Sequence, residues 1–187
     1  MSINKINKHI KILNNQKFEI LSSCKIFTKL ITNSFLKKKK LLIAGNGGSA
    51  SDAQHISAEL QIRFKKIKRP ALPAISLTTD TSLITACGND LSFDKIFSRQ
   101  IEGLGNQGDI FFGISTSGNS KNIVNAFKTA KTKKMHTLGL FGNKGGECKK
   151  FCDKSFIVNS KETALIQEIH VIFYHMLCDQ IEDRFLI

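Results

Sequence analysis

The sequence alternates between short apolar runs and longer segments with helical periodicity, and this alternation constrains the fold more than any other feature. Five apolar runs are predicted to be strands, namely residues 39–45, 73–77, 108–116, 136–142 and 154–160. Helical segments are predicted at residues 3–36, 49–64, 120–134 and 161–185, with further helical pieces up to about residue 104. Strands that alternate with helices of this length are typical of a parallel sheet covered on both faces. The sequence therefore predicts an α/β fold, a three-layer α/β/α sandwich with a five-stranded parallel sheet and N-terminal helices.

We expect one domain over residues 1–187, with an N-terminal helical segment at 1–36 and an α/β core at 37–187. The 187 residues suffice for a full core, and no Pro/Gly-rich linker or internal repeat divides them. No stretch approaches the ~20 apolar residues that cross a bilayer, and the first lysines are not followed by the apolar run of a secretory signal. Five cysteines without a CxxC pair favour reduced thiols. These features predict a cytoplasmic protein without a membrane partner.

The net charge of +13 leaves two interpretations open. Clustered cations bind nucleic acid by releasing counterions from phosphates, so a basic chain is a candidate nucleic-acid binder. The dense cluster "LKKKKLL" and the looser "RFKKIKR" do not alternate with aromatic residues that would stack on bases. The alternative, which we favour, is an AT-rich coding bias that places lysine on many surface positions. A lysine-rich surface also suits small anionic substrates.

Two polar loops follow the first and third predicted strands, and both are suited to bind phosphate. Their sequences are "GNGGSAS" and "STSGNS". Ligands of an open parallel sheet bind beyond the carboxyl ends of its strands, where helix N-termini and hydroxyl groups accept anions. The second loop carries the hydroxyls of Ser115, Thr116, Ser117 and Ser120. These hydroxyls predict a phosphate site, although a helix start capped by Ser120 is the simpler alternative.

The first loop also fits a dinucleotide-binding pattern. "GNGGSA" matches GxGxxA after a strand, and Asp80 is a candidate for the acid that binds a ribose. A P-loop is excluded because no GK[ST] sequence is present. The hydroxyl-rich loop has no role in binding a pyrophosphate, so one small phosphorylated substrate is favoured. Ser49 or Ser51 is predicted to cap the helix that follows the first loop.

Two predicted helices carry side chains suited to acid–base chemistry. His55 and Glu59 are four residues apart and share a helix face. On the final helix, Gln167 and His175 are about 12 Å apart along an ideal axis, so they converge only if their side chains lean toward each other. Glutamate and histidine together are suited to proton transfer near neutral pH. The alternatives are a surface ion pair on the first helix and core histidines, including His170, on the last.

Five segments of the sequence, taken in order, resemble the sugar isomerase (SIS) family. They are "GNGGSASDAQHISAEL", "RPALPAISL", "ACGNDLSFDKIFSRQIEGLGNQGD", "GISTSGNS" and "IQEIHVIFYH". The similarity runs from about residue 40 to the C-terminus, and the helical N-terminal segment fits in length. Within the family, the chain is similar to the isomerases that act on sedoheptulose 7-phosphate. Motifs that recur in one order over such a span are a specific signal.

The resemblance implies a set of site residues. The implied substrate-binding residues are Asn46, Gly47, Gly48, Glu59, Asn89, Asp90, Ser115, Thr116, Ser117, Ser120 and Gln167. The implied zinc ligands are His55, Glu59, Gln167 and His175, with one Zn²⁺ per subunit. Glu59 and His175 correspond to the catalytic acid–base pair of the family. Leu165 and Ala164 depart from the family pattern, which places a secondary electrostatic contact in question but leaves the four ligand positions intact.

The resemblance also implies a reaction and an assembly. The ketose sedoheptulose 7-phosphate would become the aldose D-glycero-D-manno-heptose 7-phosphate through an enediol, the first step toward bacterial surface heptose. Family members are homotetramers with sites at subunit contacts, so Gln167 and His175 are expected to serve the loop of another subunit. A related SIS protein binds the bacterial replication initiator without catalysis, and a sugar-phosphate sensor is a third possibility. The presence of both Glu59 and His175 favours the enzyme.

Overall fold

The computed structural model describes residues 2–186 as one parallel sheet enclosed by helices. The strands are β1 (Leu41–Ala44), β2 (Ala74–Ser76), β3 (Ile110–Ser115), β4 (His136–Gly142) and β5 (Lys154–Val158). The helices are α1 (Ser2–Leu36), α2 (Gly48–Gln61), α3 (Thr81–Asp90), α4 (Ile96–Leu104), α5 (Lys121–Thr132) and α6 (Thr163–Glu182). Short 3₁₀ helices cover Phe93–Lys95 and Cys148–Phe151. The predicted three-layer α/β/α sandwich is confirmed.

The five strands pair in the order β2-β1-β3-β4-β5, and every pair is parallel. The central strand β3 is buried along its whole length, which explains why its sequence is an apolar run without alternation. The chain order changes direction between β1 and β3, since β2 lies on one side of β1 and all later strands on the other. Ligands of such sheets bind at this switch point, beyond the carboxyl ends of the strands. Both predicted phosphate loops begin there.

Two apolar cores lie on opposite faces of the sheet. Helices α1, α2 and α6 cover one face, where Ile43 and Phe112 point from the strands. Helices α4 and α5 cover the other face, together with the turn of α3 that contains Cys87. Leu42 of β1 and Phe111 of β3 pack on this side of the sheet. Neighbouring residues of a strand thus supply different cores, as the alternation of side chains across a strand requires.

The N-terminal segment forms one continuous helix, α1, and not several. Its buried side packs on α6 and β5, where the Gln16 amide donates to the Ile157 carbonyl at 2.9 Å and accepts from the Asn159 N–H at 2.9 Å. Its other side exposes large apolar residues: Ile3, Ile6, Ile10, Phe18, Leu21 and Ile26. None of the helices in residues 2–186 is both long and apolar enough to span a membrane.

The predicted serine cap of α2 is wrong. Gly47 occupies the N-cap with φ 54°, a left-handed conformation that favours glycine, and no side chain caps the helix there. Since α2 already begins at Gly48, Ser49 and Ser51 lie within its first turn.

Candidate active site

The first polar loop connects β1 to α2 and is tied to the second loop by a pair of amides. The Asn46 side chain donates to the Asn122 side chain at 2.9 Å and accepts a hydrogen bond from it at 2.9 Å. Asn122 lies in the first turn of α5, directly after the hydroxyl-rich loop. The two loops therefore form one unit at the switch point of the sheet. Sequence reasoning missed Asn122, whose only signal is its position just after "STSGNS".

The second polar loop connects β3 to α5 and presents hydroxyl groups at the start of that helix. Ser115 Oγ accepts from the Gly118 N–H at 3.1 Å and lies 3.3 Å from Ser120 Oγ. Gly118 has φ 67°, and a Cβ there would lie 2.1 Å from the Gly145 carbonyl oxygen, so the turn requires glycine. Ser120 occupies the N-cap of α5, but its hydroxyl makes no capping hydrogen bond.

The remaining hydroxyls of this loop differ in their surroundings. Ser117 Oγ accepts from the Asn119 N–H at 3.1 Å and is exposed, whereas Thr116 is half-buried. The first N–H groups of a helix have no partner within it and attract anions. With Ser120 uncommitted to a cap, the loop offers hydroxyl and N–H donors together, which is the chemistry that binds a phosphate monoester.

A second group of polar residues lies where α2 packs beside α6. The Nε2 atom of His55 is 3.0 Å from Glu59 Oε1, and the ring centroids of His55 and His175 are 5.0 Å apart, edge to face. His55 therefore contacts both members of the predicted acid–base pair. The Glu59 side chain is 21% exposed, so a substrate can reach it. Burial and the neighbouring His55 lower the pKa of His175, against the opposing effect of the Glu59 carboxylate.

Two further residues extend this group inward, and the sequence analysis did not identify either. The Tyr174 hydroxyl is 3.1 Å from His55 Nδ1 and donates to Asp52 Oδ1 at 3.4 Å. Burial raises the pKa of Asp52 to about 6, although the Tyr174 hydrogen bond and the charge of His55 act in the opposite direction. Only the packing of α6 on α2 brings Tyr174 to His55, so no local sequence pattern could have found the contact.

Gln167 lies elsewhere, against the first loop. A Cβ added to Gly48 would lie 2.5 Å from Gln167 Nε2, so glycine at this position gives the amide its room. Gly48 precedes His55 by seven residues, about 10 Å along the helix. Within one chain, Gln167 thus lies beside the loops, and His175 lies with His55 and Glu59.

The other candidate residues lie in separate places. Asn89 and Asp90 are exposed at the last turn of α3, where the Asn89 amide donates to Asp90 at 2.8 Å. Asp80 caps α3 by accepting from the Leu83 N–H at 2.9 Å, a structural role. His170 is buried, its Nε2 is 3.1 Å from the Phe141 carbonyl oxygen, and burial lowers its pKa to about 4. His170 is therefore a core residue.

The side chains around His55 match the ligand preferences of zinc in type. Zinc binds imidazole nitrogen and carboxylate oxygen, and this group offers two imidazoles and one carboxylate. Because Tyr174 engages Nδ1 of His55, the Nε2 atom is the one directed toward Glu59. As they stand, no three His, Cys, Asp or Glu side chains among the described residues form a group that could hold a metal ion. The donor types fit zinc, and closing the site requires a further ligand and movement of these side chains.

Comparison with known proteins identifies similar sequences over nearly the whole chain. The SIS domain model matches residues 6–142. A phosphoheptose isomerase of Sulfurimonas denitrificans is 48% identical, over 95% of this chain and 95% of the relative. A phosphoheptose isomerase of Campylobacter jejuni is 52% identical, over 84% of each chain.

Solved structures give the same result for the fold. The phosphoheptose isomerase of Neisseria gonorrhoeae superimposes with a TM-score of 0.90 at 36% identity, covering 97% of both chains. A phosphoheptose isomerase from Francisella tularensis has a TM-score of 0.88 at 35% identity, covering 98% of this chain and 99% of the other. The similarity to the Vibrio vulnificus NanR protein in complex with ManNAc-6P, at 14% identity and a TM-score of 0.60, shows the fold alone.

Proposed function

The chain belongs to the SIS domain family, and we propose that it is the isomerase that converts sedoheptulose 7-phosphate into D-glycero-D-manno-heptose 7-phosphate. The observation that carries this function is the contact of His55 with both Glu59 and His175, which unites a carboxylate and a second imidazole in one accessible group. The Ser120 hydroxyl, which does not cap α5, and the start of that helix supply a matching anchor for the phosphate. Relatives named phosphoheptose isomerase, whose sequences are 48% and 52% identical to this chain, support the same reaction.

Each residue then has a definite task in the isomerisation. Glu59 removes a proton from C1 of the open-chain ketose, which gives an enediol, and then delivers a proton to C2, which gives the aldose. His175 donates a proton to O2 as the carbonyl is lost and accepts one from O1 as the aldehyde forms. Burial and the neighbouring His55 lower its pKa and so favour the neutral imidazole, which has one N–H that can donate and one nitrogen lone pair that can accept. The phosphate stays bound to the hydroxyl loop throughout.

The proposal includes one zinc ion per subunit, with His55, Glu59, Gln167 and His175 as ligands. When bound, zinc would polarise a substrate oxygen as a Lewis acid and organise the ligands around it. The protein side chains still perform the proton transfers, since Glu59 and His175 are the groups with suitable acid–base chemistry. The chain supports this ligand set by directing Nε2 of His55 toward Glu59.

The proposal also places each active site between two subunits of a homotetramer. Glu59 follows Gly48 by eleven residues, about 16 Å along α2, which is longer than an extended seven-carbon sugar phosphate. Along α2, Glu59 is therefore remote from the first loop of its own chain, to which the start of α5 is tied by Asn46 and Asn122. We infer that the loops and Gln167 of one subunit face His55, Glu59 and His175 of another. The exposed apolar side of α1, with Phe18 77% exposed, supplies a surface for such an assembly.

Mixed tetramers test the shared site. We expect Glu59→Gln and Gln167→Ala proteins to be nearly inactive alone, and to regain activity when unfolded together and reassembled. Random assortment would give roughly a quarter of the sites an intact Glu59 from one chain and an intact Gln167 from the other. Mixing Glu59→Gln with His175→Gln is the matched control, because both residues come from the same side of the site and no intact site can form. Equal absence of activity in both mixtures would contradict the shared site.

The function itself is tested by incubating the purified protein with sedoheptulose 7-phosphate and zinc, with and without a chelator. We expect the aldose phosphate to form, and its rate to fall when the chelator is present. A non-catalytic SIS protein that binds the replication initiator, or a sensor of sugar phosphates, predicts no aldose under any condition. That outcome would contradict the proposed function. None of the five cysteines, all of which lie among the described residues, is joined in a disulfide, which is compatible with the cytoplasmic location that we propose for this activity.

A further inference from the structure

We propose that Tyr174 and Asp52 form a hydrogen-bonded relay that orients His55 for zinc. In this relay, Tyr174 accepts a hydrogen bond from Nδ1–H of His55 and donates one to Asp52. The inference rests on the zinc site of the proposed function and deepens it, because it assigns positioning roles to two residues outside the ligand set. Neither residue touches the substrate. Both act through His55.

The contacts form an unbroken chain from the interior to the site. The carboxylate of Asp52 lies 3.4 Å from the Tyr174 hydroxyl, which lies 3.1 Å from His55 Nδ1. The Tyr174 ring also packs edge to face on the His55 ring, with centroids 5.5 Å apart. Tyr174 is only 1% exposed. Water therefore does not compete for its hydroxyl, and packing fixes its position.

The direction of these hydrogen bonds determines which nitrogen of His55 is free. An imidazole binds a metal through one nitrogen and carries hydrogen on the other. If Nδ1–H donates to the Tyr174 oxygen, and the Tyr174 hydroxyl donates to Asp52, Nε2 is the nitrogen that binds zinc, on the side of the ring that faces Glu59. Zinc then takes the place of the hydrogen that Nε2 shares with Glu59 in the metal-free protein. Outer partners of this kind set the tautomer and raise the basicity of a ligating histidine.

The environment of Asp52 indicates that its carboxyl group does not serve to stabilise the fold. Its Oδ2 atom is buried and has no hydrogen-bond partner among the described residues, and its Oδ1 atom is held only by the long Tyr174 contact. Burying a carboxyl group with so few partners costs free energy. The carboxylate is useful in this place as the final acceptor of the relay, since a tyrosine hydroxyl that accepts from His55 needs an acceptor of its own.

The decisive experiment measures zinc affinity in the metal-free full-length protein by competition with a chromophoric chelator at one fixed pH. Tyr174→Phe removes the hydroxyl and keeps the ring, and we expect zinc to bind about 10–100-fold more weakly. Asp52→Asn keeps an acceptor for Tyr174 without the charge, so we expect a smaller loss in the same direction. Ser34→Ala is the matched control, because it removes a buried hydroxyl that donates to the Gly108 carbonyl just before β3, at the end of the strands opposite to the loops. Its zinc affinity should equal that of the unmodified protein.

A second measurement separates orientation from general loosening of the fold. Nitrogen-15 chemical shifts of the His55 ring in the zinc-loaded protein report which nitrogen carries hydrogen. We expect Nδ1–H in the unmodified protein, and an altered Nδ1 environment in Tyr174→Phe with unchanged signals from His170. Zinc affinity within twofold of the unmodified protein in a folded Tyr174→Phe variant would overturn the relay, as would absence of zinc binding by the unmodified protein. The isomerase assay decides the proposed function separately, because the relay is judged on zinc affinity alone.

Discussion

Replacing Glu59 with glutamine should lower the turnover number for sedoheptulose 7-phosphate by about 10²–10⁴-fold, the usual contribution of a general base. Glutamine keeps the size of the side chain and the ability to accept a hydrogen bond from His55, but it cannot take a proton from carbon. The hydroxyl loop binds the phosphate at the other end of the sugar from the carbons on which Glu59 acts, so the affinity for the sugar phosphate should change only a few-fold. The turnover number and the substrate dissociation constant, measured separately, test both statements.

Two controls make this result specific. Glu102→Gln also removes a carboxylate, from an exposed ion pair with Arg99 on α4, and should leave the turnover number unchanged. Because Glu59 is also a proposed zinc ligand, the variant has to be measured with its zinc content known and with zinc in excess. A zinc-loaded Glu59→Gln protein that keeps more than a tenth of the original turnover would show that Glu59 is not the base.

The largest effect on stability is expected for Glu182→Ala. The Glu182 carboxylate accepts a hydrogen bond from Arg69 Nε at 2.9 Å, and both side chains are only 1% exposed. It also accepts from three backbone N–H groups at 2.8–2.9 Å, those of Phe64, Lys65 and Lys66. Removing the carboxylate leaves a buried guanidinium and three N–H groups without their acceptor. The free energy of unfolding should fall by about 3–5 kcal/mol, as measured by denaturant titration.

This pair also connects stability to the site. Arg69 Nη1 donates to the Leu60 carbonyl at 2.7 Å, and its Nη2 donates to the Glu59 carbonyl, so the pair holds the last turn of α2 in place. Loss of Glu182 should therefore also reduce turnover at temperatures where the protein is still folded. Replacing both residues, as Arg69→Met with Glu182→Leu, should recover part of the lost stability, because no unpaired charge remains buried. The exposed Glu102→Gln control should change stability by less than about 1 kcal/mol.

The same carboxylate predicts a pH dependence. Burial raises the pKa of Glu182, but the Arg69 hydrogen bond and the three backbone N–H donors outweigh this effect and lower the pKa to about 2. A lowered pKa stabilises the folded state fully above the pKa of the unfolded chain, about 4.3 for glutamate. The contribution is lost as the pH falls from there toward 2. The stability difference between the unmodified protein and Glu182→Ala should accordingly shrink over this range, and a constant difference would contradict the assignment.

The order and type of the strands and helices could be predicted because each element carries its own pattern of apolar residues in the sequence. The apolar run at 136–142 matches β4 residue for residue, since a strand buried on both faces needs no alternation and ends where glycine begins the turn. The cap of α2 could not be predicted, because the left-handed backbone of Gly47 starts the helix ahead of both serines. Glycine carries no side-chain signal for such a role.

The site was only partly predictable for a different reason. The spacing of His55 and Glu59 on one helix places them together, and the structure has them 3.0 Å apart. Which residues of α2 lie beside Gln167 and His175 depends on how α6 packs against α2, and neither helix encodes that packing locally. The same packing brings Tyr174 to His55 and leaves Gln167 beside Gly48. Contacts between helices distant in sequence are therefore where the structure adds most.

The most direct test of the account is the conversion of sedoheptulose 7-phosphate in deuterium oxide, followed by NMR with zinc present. If Glu59 transfers a proton through an enediol, the aldose product should carry deuterium at C2, because a carboxyl proton exchanges with the solvent between removal and return. In the time that the unmodified protein needs for conversion, Glu59→Gln should yield almost no product and almost no exchange at C1 of the ketose. Aldose formed without any deuterium at C2, or no aldose at all from zinc-loaded protein, would contradict the central claim that a carboxylate and an imidazole on α2 and α6 isomerise a sugar phosphate.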